Sequence, residues 1–181
     1  MTGLLPIWPP SRAKLNGIPL GDAWPCLSMP QNPAQPWESI VPFHKLTQWL
    51  CYSLMVPIQR LLGAQFLHAN LMTGLPEYRN GGLLIDTGLL TLKEEDRTRG
   101  EQAYHEVQNL KGVPAVEVVP AFEPHDDVIV EWRAVTIGFL DDIHKKVCEE
   151  LGVKLSLAQV LEAGTWKVSC DMVSDFLKKV S

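Results

Sequence analysis

A basic excess, paired cysteines and long apolar runs are all missing from this chain, and each absence removes a class of function. Its 16 Lys and Arg face 21 Asp and Glu, for a net charge of −5. That balance argues against the broad positive footprint of a nucleic-acid binder, although local arginines can still hold a small anion. The four cysteines, Cys26, Cys51, Cys148 and Cys170, are scattered and form no Cys-x-x-Cys pair. Disulfide scaffold and zinc cluster are therefore disfavoured, and a reducing, cytoplasmic setting is expected, with a nuclear one not excluded. No basic stretch leads into an apolar core at the N-terminus, so no signal peptide is expected. No apolar run approaches the ~20 residues of a membrane span. The five histidines lack metal-ligand spacing, and G-x-x-x-x-G-K-[ST], G-x-G-x-x-G and nucleophile-elbow motifs are absent. Neither a metal nor a cofactor is expected.

What is present is a globular composition: 181 residues, 46% hydrophobic and 20% charged, enough for one domain spanning 1–181. Nine of the 14 prolines lie in residues 1–42, with Trp8, Trp24 and Trp37. Proline removes backbone donors and restricts its predecessor, so this segment should be irregular and wrap over a helical core. A helix is expected from Pro42, with Phe43, Leu46, Leu50 and Leu54 on one face, a kink or end near Pro57 and a stop at Gly63. Asn80-Gly81-Gly82 reads as a turn, and Leu83-Leu84-Ile85 as a short buried strand ending at Asp86. Residues 93–111 read as an exposed helix, and 93–127 together as a charged, proline-rich insert. The clearest helix covers 127–151, capped by Asp126 or Asp127 and ended by Gly152. A short one follows from Ser156. The fold class is thus mainly α with a few short β-strands (α+β), the strands near 83–86 and 115–119.

Candidate chemistry centres on two Glu-aromatic-Arg triplets, Glu77-Tyr78-Arg79 and Glu131-Trp132-Arg133. Arg133 falls inside the apolar stripe of its helix, where arginine requires either a carboxylate or a ligand anion. Arg79 sits in a loop beside Asn80 and two glycines that allow close backbone approach. Asp86, at an apparent strand end, is suited to general-base work or to facing a cationic transition state, with Glu77 as the second catalytic acid. His44, Lys45 and Gln48 lie at a helix start, where free N–H groups favour anions. Arg79 and Arg133 are expected to share one pocket, with Asp86 between them. Leu83 to Gly88 also resembles the phosphoribosyl-diphosphate loop of phosphoribosyltransferases, with one acid where that motif has two.

Several stretches carry a wider resemblance: Leu5-Pro6-Ile7-Trp8-Pro9, Gly21-Asp22-Ala23-Trp24, Val41 to Leu50, Leu75 to Gly88, Val130-Glu131-Trp132-Arg133-Ala134 and Leu161 to Trp166. In this order and spacing the chain resembles the uracil-catabolism protein four family, which contains a domain of unknown function. The resemblance covers the C-terminal half of family members about twice as long, so a fragment or a truncated form is expected. The insert at 93–127 is similar to that of fungal members, whereas the end after Trp166 departs from the family's longer basic tail. The resemblance implies a role in pyrimidine degradation that opens the uracil ring and yields urea. On that basis the expected activity is hydrolysis of the N-glycosidic bond of a ribosyl-urea intermediate. Asp86 and Glu77 would be catalytic, and Arg79, Arg133, His44, Lys45, Gln48, Tyr78, Asn80, Glu131 and Trp132 would bind a nucleoside- or ribose-phosphate-like substrate. The alternatives are a uracil phosphoribosyltransferase-like transferase and a non-catalytic partner of another pathway enzyme. Oligomeric state is left open.

Overall fold

The computed structural model describes residue 9, residues 12–111 and residues 117–162. Two small antiparallel ribbons come first. β1 (Lys14–Leu15) pairs with β2 (Ile18–Pro19) around Asn16-Gly17, and β3 (Ala23–Pro25) pairs with β4 (Ile40–Pro42) in the register Ala23↔Pro42, Trp24↔Val41 and Pro25↔Ile40. Five helices follow: α1 (Lys45–Leu62), α2 (Tyr78–Asp86), α3 (Glu94–Lys111), α4 (Asp127–Leu151) and α5 (Leu157–Val160). The fold is therefore mainly helical with a few short strands.

The proline-rich segment does fold down on the helices. Trp24 packs with Cys26, Phe43 and Val130 into the core, flanked by Val41, Ala134 and Ile137. Trp37, by contrast, is exposed, and Trp8 lies outside the described residues. Phe43 is fully buried, yet it precedes α1 instead of lying on it. Pro42 is taken up by β4, and the helix begins three residues later behind His44, whose backbone is left-handed (φ 46°). α1 runs unbroken through Pro57 to a left-handed Gly63. α4 matches its expected limits: the Asp126 carboxylate accepts from the Val128 N–H, and Gly152 ends the helix at φ 62°. Ser156 and Gln159 form a reciprocal capping box on α5.

The strands lie elsewhere than expected. Residues 78–86, read as a turn followed by a strand, form α2. Leu83-Leu84-Ile85 is too short for its period to decide the matter. Only Leu84 of the three is buried, with Asn80 and Gly81 one turn earlier, as a helix face requires. Gly81 lies mid-helix because a Cβ there would stand 2.7 Å from Trp132 Cε2. Of the extended piece expected at 115–119, residues 115 and 116 lie outside the described residues and 117–119 form no strand. α3 is a charged helix with Glu94, Glu95 and Asp96 in its first turn. Gly100 seats it against Pro120 and Phe122, and Arg99 pairs with Asp126 at the start of α4.

Candidate functional site

α4, the loop before α2 and the start of α1 line a half-open cavity of about 170 Å³. α1 supplies Lys45. The loop and the first turn of α2 supply Pro76, Glu77, Tyr78 and Gly81. One face of α4 supplies Ile129, Trp132, Arg133 and Thr136. The loop is pinned by α1: the Gln48 amide accepts from Thr73 N–H at 3.1 Å and donates to Thr73 Oγ1 at 3.0 Å, and Tyr52 Oη donates to Thr73 O. That clamp sets where Glu77 begins α2.

Glu77 is the N-cap of α2, but its side chain makes no capping bond. An acid at this position ordinarily accepts from the second or third N–H of its own helix. Here the carboxylate turns to Lys45 Nζ at 3.1 Å, with the Glu77 side chain only 12% exposed. The Trp132 indole lines the cavity and donates Nε1–H to Gly81 O at 3.2 Å. Tyr78 stands exposed at the edge.

Arg133 meets a carboxylate. Nη1 and Nη2 donate to Asp22 Oδ1 and Oδ2 at 2.9 and 2.7 Å, and the guanidinium carbon lies 4.0 Å from the Phe43 ring centroid. Asp22 also accepts from Trp24 Nε1 and from the backbone N–H of Lys45, so it caps α1 in place of His44. Burial pushes the Asp22 carboxyl up. The Arg133 and Trp24 hydrogen bonds, the Arg133 charge and the Lys45 N–H outweigh it, and the net displacement is below the ordinary carboxylate value. The ion pair uses two of the five guanidinium donors and offsets the arginine's charge.

Lys45, Glu77, Tyr78, Trp132 and Arg133 thus share one cavity. Gln48 supports it through Thr73, and Asn80 is buried behind it, donating to Leu75 O. Four further expected residues neither line nor support it. His44 is half-buried at the turn into α1, and Glu131 is half-buried on α4. Arg79 Nε donates to Tyr78 Oη, with the guanidinium carbon 5.7 Å from that ring, and Arg79 is not among the residues that line the cavity with Arg133. Asp86 is exposed at the opposite end of α2 from Glu77, about 13 Å away at the helical rise. The strand reading puts it at a strand end. Sequence reasoning gave Asp22 no role of its own, since nothing local marks a partner 111 residues from Arg133. It also missed Thr136 and Ile129, which follow once Trp132 and Arg133 are known to face the cavity. Among the described residues no group of three or more His, Cys, Asp or Glu gathers as metal ligands, and no helix is long and apolar enough to cross a membrane.

The family described as "Protein of unknown function (DUF1688)" matches residues 1–175. The chain belongs to this family. It is 42% identical over 178 residues to "Uracil catabolism protein 4" of Lachancea kluyveri, across 96% of this chain and 39% of that protein. It is likewise 42% identical over 170 residues to "Protein urg3" of Schizosaccharomyces pombe, across 92% of this chain and 35% of that protein. The chain therefore spans less than half the length of these curated relatives. No solved structure matches it.

Proposed function

We propose that this protein acts in uracil catabolism, and that its cavity receives the ureido end of a ribosyl-urea whose N-glycosidic bond it helps to hydrolyse. The observation that carries this reading is Glu77, a nearly buried carboxylate that leaves its own helix uncapped and faces a cavity beside a lysine and an indole. The name of the Lachancea kluyveri relative supports the pathway. The size supports a small planar group: a cavity of about 150 Å³ takes a benzene ring, whereas drug-sized ligands need about 300 Å³ or more. Trp132 offers a stacking wall for a flat ureide, and Lys45 a donor for its carbonyl oxygen. Water attacks the anomeric carbon and the C–N bond breaks. The bonding pair leaves with the urea nitrogen, and the proton that water loses to Glu77 is passed on to that nitrogen, which restores the carboxylate. Ribose and urea result. Arg133 serves to hold α4 against Asp22 and not to bind phosphate, and exposed Asp86 has no part.

The test is urea release from ribosyl-urea. Glu77→Gln keeps shape and hydrogen bonding but cannot accept the proton, so its rate should fall by roughly 10²-fold or more while KM changes little. An unchanged rate in Glu77→Gln, or no urea release from the wild-type chain, would sink the hydrolytic reading.

A further inference from the structure

Helix α1 is docked by its polar edge. Lys45, Gln48 and Tyr52 make its contacts with the α2 loop, and no residue of the helix is fully buried. Its other side carries Leu46, Trp49, Leu50, Leu54 and Leu61. At 100° per residue these five fall within an arc of about 140° and run most of the helix's length of about 27 Å. They are 54%, 45%, 42%, 43% and 81% exposed. Beyond the helix end, Leu67 is also 79% exposed. Between Lys45 and Leu62 there is no acidic residue. A helix whose apolar face normally packs inward here turns that face to solvent, and a continuous patch of this kind marks an interface.

We infer that this face is the seat of the portion of a family-length polypeptide that lies outside the region shared with this chain. The relatives decide the occupant. This chain accounts for 39% and 35% of their lengths, so more than half of a family-length protein has no counterpart among the residues packed here. The occupant presents an apolar surface that covers Leu46, Leu50 and Leu54 as a core layer. The inference rests on the exposed stripe and on length, and stands apart from the role given to Glu77.

The experiment co-expresses the full 181-residue chain with the unmatched portion of the Lachancea kluyveri protein, so that each folds in the presence of the other, and reads the complex by sizing with light scattering. The expected result is a one-to-one complex that Leu50→Glu/Leu54→Glu weakens roughly tenfold or more. Leu61→Glu, further along the stripe, weakens it too, and Gln59→Glu on the docked side does not. Circular dichroism and melting of each variant alone should match wild type, since all these positions are already exposed. Failure to form the complex, or an equally strong complex with the double variant, overturns the inference. So does a homodimer of the chain that the double variant dissolves, which gives the face to a second copy. Binding of the chain to anionic vesicles, lost in the double variant, also overturns it.

Discussion

Two guanidinium N–H groups, an indole N–H and the first N–H of a helix converge on the Asp22 carboxylate. One residue thereby joins β3, α1 and α4, and the neighbouring Phe43 and His44 N–H groups bond its carbonyl oxygen. With the Arg133 and Asp22 side chains 17% and 11% exposed, removing one charge strands the other away from water. Asp22→Asn should therefore destabilise the fold by roughly 3–5 kcal/mol, read as a lower urea midpoint at unchanged slope. Arg133→Gln should cost about as much, and the double variant clearly less than the sum, because both single changes break the same pair. A loss below about 1 kcal/mol for Asp22→Asn would instead describe a screened surface pair, and would return Arg133 to the residues available for a ligand anion.

At the scale of elements, two adjacent glycines in α2 should respond to alanine with opposite signs. A Cβ at Gly81 would lie 2.7–2.8 Å from the Trp132 indole, whereas at Gly82 it meets nothing within 4 Å. Alanine favours a helix over glycine by up to about 1 kcal/mol, and forcing atoms into a filled contact costs about 1–3 kcal/mol. Gly82→Ala should raise the melting temperature, and Gly81→Ala should lower it and displace Trp132 from the cavity wall. Equal effects from the two would mean that α2 and α4 are not in contact there. The same pair shows what the sequence could convey. α4 was legible because it has 25 residues of regular period, an aspartate cap and a glycine stop, all local signals. α2 was not, because whether a glycine marks a turn or a close helix crossing depends on a tryptophan 51 residues away. The site divides in the same way. Arg133 was identifiable as a charge inside an apolar stripe, Lys45 from its helix start, and Glu77 and Trp132 from the two triplets. Their assembly around one cavity, and the exclusion of Asp86 and Arg79, depend on α2 being helical.

For the whole molecule, the titrating groups set a stability profile with two different edges. Asp22 has a folded pKa below its ordinary value, so its contribution is present above the unfolded carboxylate value, near 4, and is lost as pH falls through the lower folded one. Asp126 shifts the same way, first through its hydrogen bond to Arg99, but that pair is largely exposed and salt should screen it. Tyr52 moves in the other direction. Burial raises its phenol above 10, and the charge of Asp141 adds to this. A raised acid contributes stability below the unfolded value that is lost as pH rises through the folded one. Ionisation also removes the proton that Tyr52 donates to Thr73 O, the bond that holds the Glu77 loop on α1. Unfolding midpoints measured from pH 3 to 11 should accordingly be flat between about pH 5 and 9 and fall on both sides. Asp22→Asn should flatten the acid side, and that flattening should persist in 1 M salt. Tyr52→Phe should lower the plateau by about 1 kcal/mol for the lost bond and flatten the alkaline side. If the alkaline fall survives in Tyr52→Phe, the loop is not held by this phenol, and the clamp that positions Glu77 rests on Gln48 alone.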